Sequence, residues 1–405
     1  MRFKLFIFFA LASLCVIGAP AQAEVVSPSM KLIHTINGSI APKSVRSSGD
    51  GVVSAHNMMY RHSVTVYNAK TFELLQTIPD SVALKDFGFS KNSGNYKGAP
   101  VEGTFSPDGK YLYVSNYAMY GKGFNKEGTD TCSPADGYDK SFVYRINRIN
   151  YQIDSVYPVG SVPKVVEITP DNKYLLVANW CSYTVSVVSI EQNKVVKTVK
   201  IGRYPRGIAI SNDSTKAYVA EMGGNRIHVI NLQDFSTSFI PIGSNPRAIV
   251  LSPDNSTMYV TMNLSGRVAS WNLVSNKPGK SVRTGEAARS LAISADGSAL
   301  YVVNYKSDTM SRVRTSDMKV TQNIKVCNEP IGITYDVPTG NTWVACYKGQ
   351  IKIFSNNEGA GEISAGMFGA AIRPSTRSIA ARALLSAVFP LGMSSAKVTK
   401  TYSRS

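Results

Sequence analysis

Seven positions in this chain share one phase, and five of them are basic. Lys43, Lys164, Arg206 and Arg247 each follow a proline, and Arg289 follows Ala288 at the same offset. Val101 and Ile331, both behind a proline, complete the set. Five like charges around one opening repel one another, so they must be solvated or bound to an anion. The planar fork of arginine donors suits phosphate and carboxylate. The alternative is that these side chains point outward over a rim, or pair with Glu102, Glu167, Glu286 and Glu329. Aromatic residues recur nearby: Tyr117, Trp180, Tyr305 and Tyr347, the first three directly after Asn116, Asn179 and Asn304. Rings interleaved with Arg and Lys suit stacking on bases or sugars, with charge contacts to a backbone. Because these rings recur with the phase, they equally suit packing between repeated units.

Signals for catalysis are poor. The four histidines are His34, His56, His62 and His228, and none shows metal-ligand helical spacing. No Gly-x-Ser-x-Gly, His-Glu-x-x-His or phosphate-loop motif is present. A metal-assisted, lactonase-like site would have to gather Glu221, Asn179 and Asn304 from separate repeats around one ion. The chain therefore reads as a binding module more than as an enzyme, with the metal-assisted lactonase-like site as the open alternative. No catalytic residue, metal or cofactor is assigned.

The elements that position these residues follow from a repeat. A polar turn falls at Asp50, Asp108, Asp171, Asp213, Asp254, Asp296 and Pro338, at spacings of 58, 63, 42, 41, 42 and 42 residues. Each turn lies between two apolar alternations, and a period near 42 with strand chemistry means one four-stranded blade per repeat. The fold class is all-β, a seven-bladed β-propeller over residues 31–356. The seventh repeat ends before a fourth strand. Residues 31–36 lie eleven residues before Pro42, as residues 194–199 lie before Pro205. The N-terminal segment is thus expected as the outer strand of the last blade, closing the ring and leaving no long open edge between first and last blades. Insertions at about 79–99 and 117–140 break the period. Both connection types fall on one face of the disk, a common location for function.

The remaining features bear on compartment and partners. Arg2 and Lys4, an apolar run over 5–17 and Ala21-Gln22-Ala23 form an export signal, with Glu24 starting the mature chain. No other stretch is long and apolar enough for a transmembrane helix. The protein is expected to be periplasmic or secreted. There, Cys132, Cys181, Cys327 and Cys346 permit three pairings. The repeat register puts all four on one rim and favours Cys327–Cys346 and Cys132–Cys181. Net charge is +17, which favours anionic partners such as nucleic acid or an anionic polymer. Residues 357–405 form a basic C-terminal tail without Asp or Glu from Ile363 onward. Tail and insertions together suit an envelope protein partner.

Three segments, Tyr111-Leu-Tyr-Val-Ser-Asn116, Tyr174-Leu-Leu-Val-Ala-Asn179 and Leu300-Tyr-Val-Val-Asn304, with their Ser-Pro-Asp-Gly-Lys and Thr-Pro-Asp-Asn-Lys turns, resemble the signature of the YVTN family of seven-bladed β-propellers. The resemblance covers roughly residues 31–356. It implies the propeller fold in an exported bacterial protein. The family also includes surface-layer proteins and relatives of amine-dehydrogenase heavy chains and lactonases, so it implies no single function. Glu221 and Met262 stand where two blades would carry the signature Asn.

Overall fold

A computed structural model describes residues 29–357. The expected export signal and nearly all of the basic tail lie outside the described residues. Seven antiparallel sheets follow one another along the chain. Blade 1 runs from Pro42–Ser47 to Leu74–Pro79, and blade 2 from Ser81–Val82 and Tyr96–Phe105 to Ile153–Pro158. Blades 3 to 6 begin with the inner strands Pro163–Ile168, Pro205–Ile210, Pro246–Leu251 and Ala288–Ile293. Blade 7 holds Pro330–Asp336, Asn341–Cys346 and Gln350–Asn357. The first strand, Ser29–Ile36, is hydrogen-bonded to Gln350–Asn357 as the outer strand of that blade. The inner strands of adjacent blades touch all the way round, and the last meets the first.

Strand chemistry explains the layering. Middle strands are apolar on both faces because a blade is covered on each side by a neighbour. In blade 6, Ala299–Asn304 is buried at every position, whereas the outer strand Lys277–Arg283 of blade 5 is almost entirely exposed. Clusters between blades, such as Leu176, Val187, Ile208 and Val219 between blades 3 and 4, are the core. Each such side chain contributes about 1.5–3 kcal/mol on burial.

The turns expected at the aspartates are built by a hydroxyl two residues earlier. Ser106, Thr169, Ser211, Ser252 and Ser294 donate to Asp108, Asp171, Asp213, Asp254 and Asp296 at 2.5–2.6 Å. The residue after each aspartate has positive φ. Gly109 and Gly297 fill it without strain, while Asn172, Ser214 and Asn255 take the left-handed conformation in their place.

Candidate functional site

A β-bulge follows the recurring Pro or Ala in all seven inner strands, at the strand start in six and midway along Tyr96–Phe105 in blade 2. There two residues oppose one on the partner strand, which re-aims a side chain. The seven aligned bulges bring Lys43, Lys164, Arg206, Arg247 and Arg289 into one electrostatic neighbourhood at the central channel. Hydroxyls and glycines of the preceding blade fix these bulges. Ser115 Oγ donates to the Lys164 carbonyl at 2.5 Å, and Thr261 Oγ1 to the Arg289 carbonyl at 3.2 Å. Gly207 lets the Arg247 carbonyl approach so closely that an added Cβ would stand 2.5 Å from it.

In ring order the seven residues are Lys43, Val101, Lys164, Arg206, Arg247, Arg289 and Ile331. Four cations on consecutive blades form an arc, and Lys43 stands apart between two buried apolar residues. Lys164, Arg206 and Arg247 are only 5–7 % exposed. Burying a charge is costly unless it is paired. Arg206 Nη2 donates to Glu102 at 3.0 Å, and Lys164 Nζ lies 3.5 Å from Asp130. Yet Arg206 Nη1 and Arg289 Nε are buried without a hydrogen-bond partner. Burial and the neighbouring guanidiniums of Arg289 and Arg206 push Arg247 down, and burial with Arg206 brings Arg289 to about 10. A guanidinium keeps its proton regardless, so this crowding is a field that favours an anion.

One layer deeper the channel is neutral. Arg46 and Glu167 form a two-pronged pair at 2.7 and 2.6 Å. Of the carboxylates weighed as partners for the ring, Glu102 takes Arg206, whereas Glu167 takes Arg46. The channel cavity measures about 480 Å³; Arg46, Glu102, Arg206, Arg247 and Arg289 line it together with apolar residues such as Ile208, Ile249 and Leu291, while Lys43 and Lys164 do not.

The aromatics divide into two pairs. Tyr117 and Trp180 are buried beneath the second insertion. The Tyr117 hydroxyl donates to Gly128 O and the Trp180 indole to Asp130 O. Lys164 Nζ sits 4.2 Å from the Tyr117 ring centre, and Tyr204 stacks on Trp180 at 4.4 Å. Neither ring offers an open stacking face. Tyr305 and Tyr347 are half-buried, in edge contact at 6.4 Å, under Arg289 and Lys43 respectively. Two disulfides, Cys132–Cys181 and Cys327–Cys346, lie on this rim, the first tying the insertion to blade 3.

Residues 60–198 match the family model "Lactonase, 7-bladed beta-propeller". The match spans less than half of the chain. Against curated proteins the chain has no match. Among solved structures, Kuenenia stuttgartiensis hydrazine synthase is similar at a TM-score of 0.60 and 16 % identity, over 78 % of this chain and 96 % of that chain. At that identity the likeness shows the fold alone.

The residues a lactonase-like centre would draw on do not converge. Asn179 and Asn304 spend their amides inside their own blades, on Thr184 and Ser186 and on Thr309 and Ser311. Glu221 accepts from the Arg203 backbone, and lies 3.0 Å from His228 Nε2 and 3.4 Å from Arg226. His56 is buried; burial and Arg46 push it down to about 3. Its ring contacts Ser44 Oγ at 2.7 Å, and that hydroxyl donates to Val101 O. No group of three His, Cys, Asp or Glu side chains stands close enough to hold a metal among the described residues.

Arg46 and Asp130 are site residues that the repeat did not reveal. Arg46 reaches the channel because the bulge resets which side chains face inward. Asp130 lies in an insertion, where no period exists to place it.

Proposed function

We propose that this propeller is an exported binding module whose ligand inserts an anionic group, a phosphate or carboxylate, into the channel mouth. One observation carries the reading: three consecutive blades bury cations around one opening, the next adds a half-buried Arg289, and guanidinium donors of Arg206 and Arg289 have no hydrogen-bond partner there. The two disulfides suit an oxidising compartment, and among the described residues no helix is long and apolar enough to cross a membrane. The recessed cations favour the end of a nucleic acid or anionic polymer, or a small anion, over a chain lying across the rim.

Salt dependence separates these two geometries. A single-stranded nucleic acid lying across the rim neutralises several phosphates, and each adds about 0.7 to the slope of log affinity against log salt. End-on insertion gives a slope near that of one contact. Fluorescence polarisation with labelled single-stranded DNA and calorimetry with phosphate and oxalate read both. Arg247→Gln should weaken anion binding roughly tenfold, the worth of one charged hydrogen bond. Unchanged affinity in this variant rejects the channel as the site. The lactonase-model match supports a hydrolytic second reading, centred on the Glu221–His228 pair. Loss of lactone turnover in Glu221→Gln would support it.

A further inference from the structure

We propose that the channel takes an amphiphilic acid: a monocarboxylate whose head sits on Arg206, Arg247 and Arg289 and whose unbranched apolar tail lies along the walls of blades 4 to 6. The inference rests on reading the mouth as an anion site and adds the body of the ligand to it.

Three inner strands continue from these arginines in the same way. Two residues on, they carry Ile208, Ile249 and Leu291, and four residues on, Ile210, Leu251 and Ile293. All six line the same cavity of about 480 Å³ as the three arginines, a size suited to a small-molecule site. A strand rises about 3.3 Å per residue, so four residues extend the apolar wall about 13 Å from the cations. The opposite side of the channel is polar. Three residues past the ring position, blades 1 to 3 carry Arg46, Thr104 and Glu167. Arg46 donates to both Glu167 oxygens and to Thr104, and Thr104 donates to Glu167. At the same level blades 4 and 5 line the cavity with Ala209 and Val250.

The polar donors among the apolar wall are already engaged. Ser290 donates to Ile331 O, Asn212 to Pro253 O, and Ser252 and Ser294 to their turn aspartates. Arg206 Nη1 and Arg289 Nε, buried without a hydrogen-bond partner, stand at the mouth. The cavity thus offers charge-assisted donors at one end and hydrocarbon below them. A sugar or a base placed against that wall would leave its hydroxyls and amides unpaired. An alkyl tail needs no partner there and gains from every methylene it buries.

The test is calorimetry on the full chain with straight-chain carboxylates from butyrate to decanoate, below their aggregation concentrations, with oxalate and octanol alongside. Affinity should rise roughly fourfold per added methylene until the tail outruns the wall, with a negative heat-capacity change. Octanol, which lacks the anion, should bind at least about tenfold more weakly than octanoate. Arg247→Gln should weaken octanoate roughly tenfold, and Leu251→Gln should flatten the dependence on chain length. If oxalate binds and affinity is flat from butyrate to decanoate, the tail is overturned and the anion site stands. If octanoate binds equally well to wild type and Arg247→Gln, the acid sits elsewhere and the proposal falls. If neither oxalate nor octanoate binds, both readings fall.

Discussion

Blades 3 and 6 close their second-strand asparagine in hydrogen bonds, and blade 2 leaves the equivalent residue open. Asn304 donates to Thr309 and Ser311 at 3.0 Å each and accepts from Thr284 Oγ1 at 2.8 Å. Asn179 is held in the same way by Thr184, Ser186 and the Gly160 amide. In blade 4 the pair changes together, Glu221 with His228. In blade 2 the register puts Phe142 and Tyr144 where blade 3 has Thr184 and Ser186. Both amide atoms of Asn116 are then buried without a partner, as are both side-chain oxygens of Asp80. A Cβ on Gly98 would stand 2.3 Å from Asn116 Oδ1 and 2.7 Å from Asp80 Oδ1, so the two side chains share one buried site. Blade 2 also supplies Val101 where the arc blades carry cations, and contributes Glu102 and Asp130 as counter-charges. The repeat makes a scaffold of interchangeable parts, and the blade that breaks it sets the charge balance of the channel.

The largest expected effect is at Asp80. Burial raises its carboxyl from 3.8 to about 8. A raised folded pKa means the folded state binds the proton more tightly. The associated stability is complete below the unfolded pKa and is lost as pH climbs towards 8. The upper bound is on the order of 5 kcal/mol, at 1.36 kcal/mol per unit. Asp80→Asn should match the wild type near pH 4 and exceed it by several kcal/mol above pH 8. Urea midpoints at both pH values measure this. Parallel pH profiles for the two proteins would show that Asp80 is ionised and solvated in the folded state.

A smaller effect separates the two asparagines. Asn304→Ala abandons four hydrogen bonds in a buried site and should cost about 2–4 kcal/mol. Asn116→Ala removes groups that have no partner and should change stability by less than about 1 kcal/mol. Equal losses would mean that blade 2 satisfies Asn116 as fully as blade 6 satisfies Asn304.

The regular blades were the legible part of the molecule. A fixed period placed the turns, the inner strands and three of the four rim cysteines, because each follows from a position in the repeat; Cys132 was placed on the rim by the insertion that carries it. It also placed the five cations in one phase. Their burial was not legible, since the bulge that re-aims them is a backbone event with no signature residue beyond the proline. Tyr117 and Trp180 read as platforms because nothing in the repeat says that residues 128–132 fold over them. The Asp80–Asn116 site escaped for the same reason. It depends on which third-strand residues face Asn116, and a 24-residue insertion lies between those strands.

Asp130 provides the finest test of blade 2 against the arc. Partial desolvation beside the blade opposes ionisation, but Lys164, Lys43 and Arg289 outweigh that and hold the carboxyl below its usual range. The side chain remains 87 % exposed beside a Lys164 that is nearly covered. An exposed carboxylate at the mouth of a cation ring is a built-in competitor for any anion that enters. Asp130→Asn should therefore tighten oxalate binding, by roughly two- to fivefold given the small worth of an exposed ion pair. The gain should fade at high salt, where the same attraction is screened. Weaker binding in this variant would reverse the assignment: Asp130 would then be holding Lys164 in place for the ligand, and blade 2 would be completing the arc instead of opposing it.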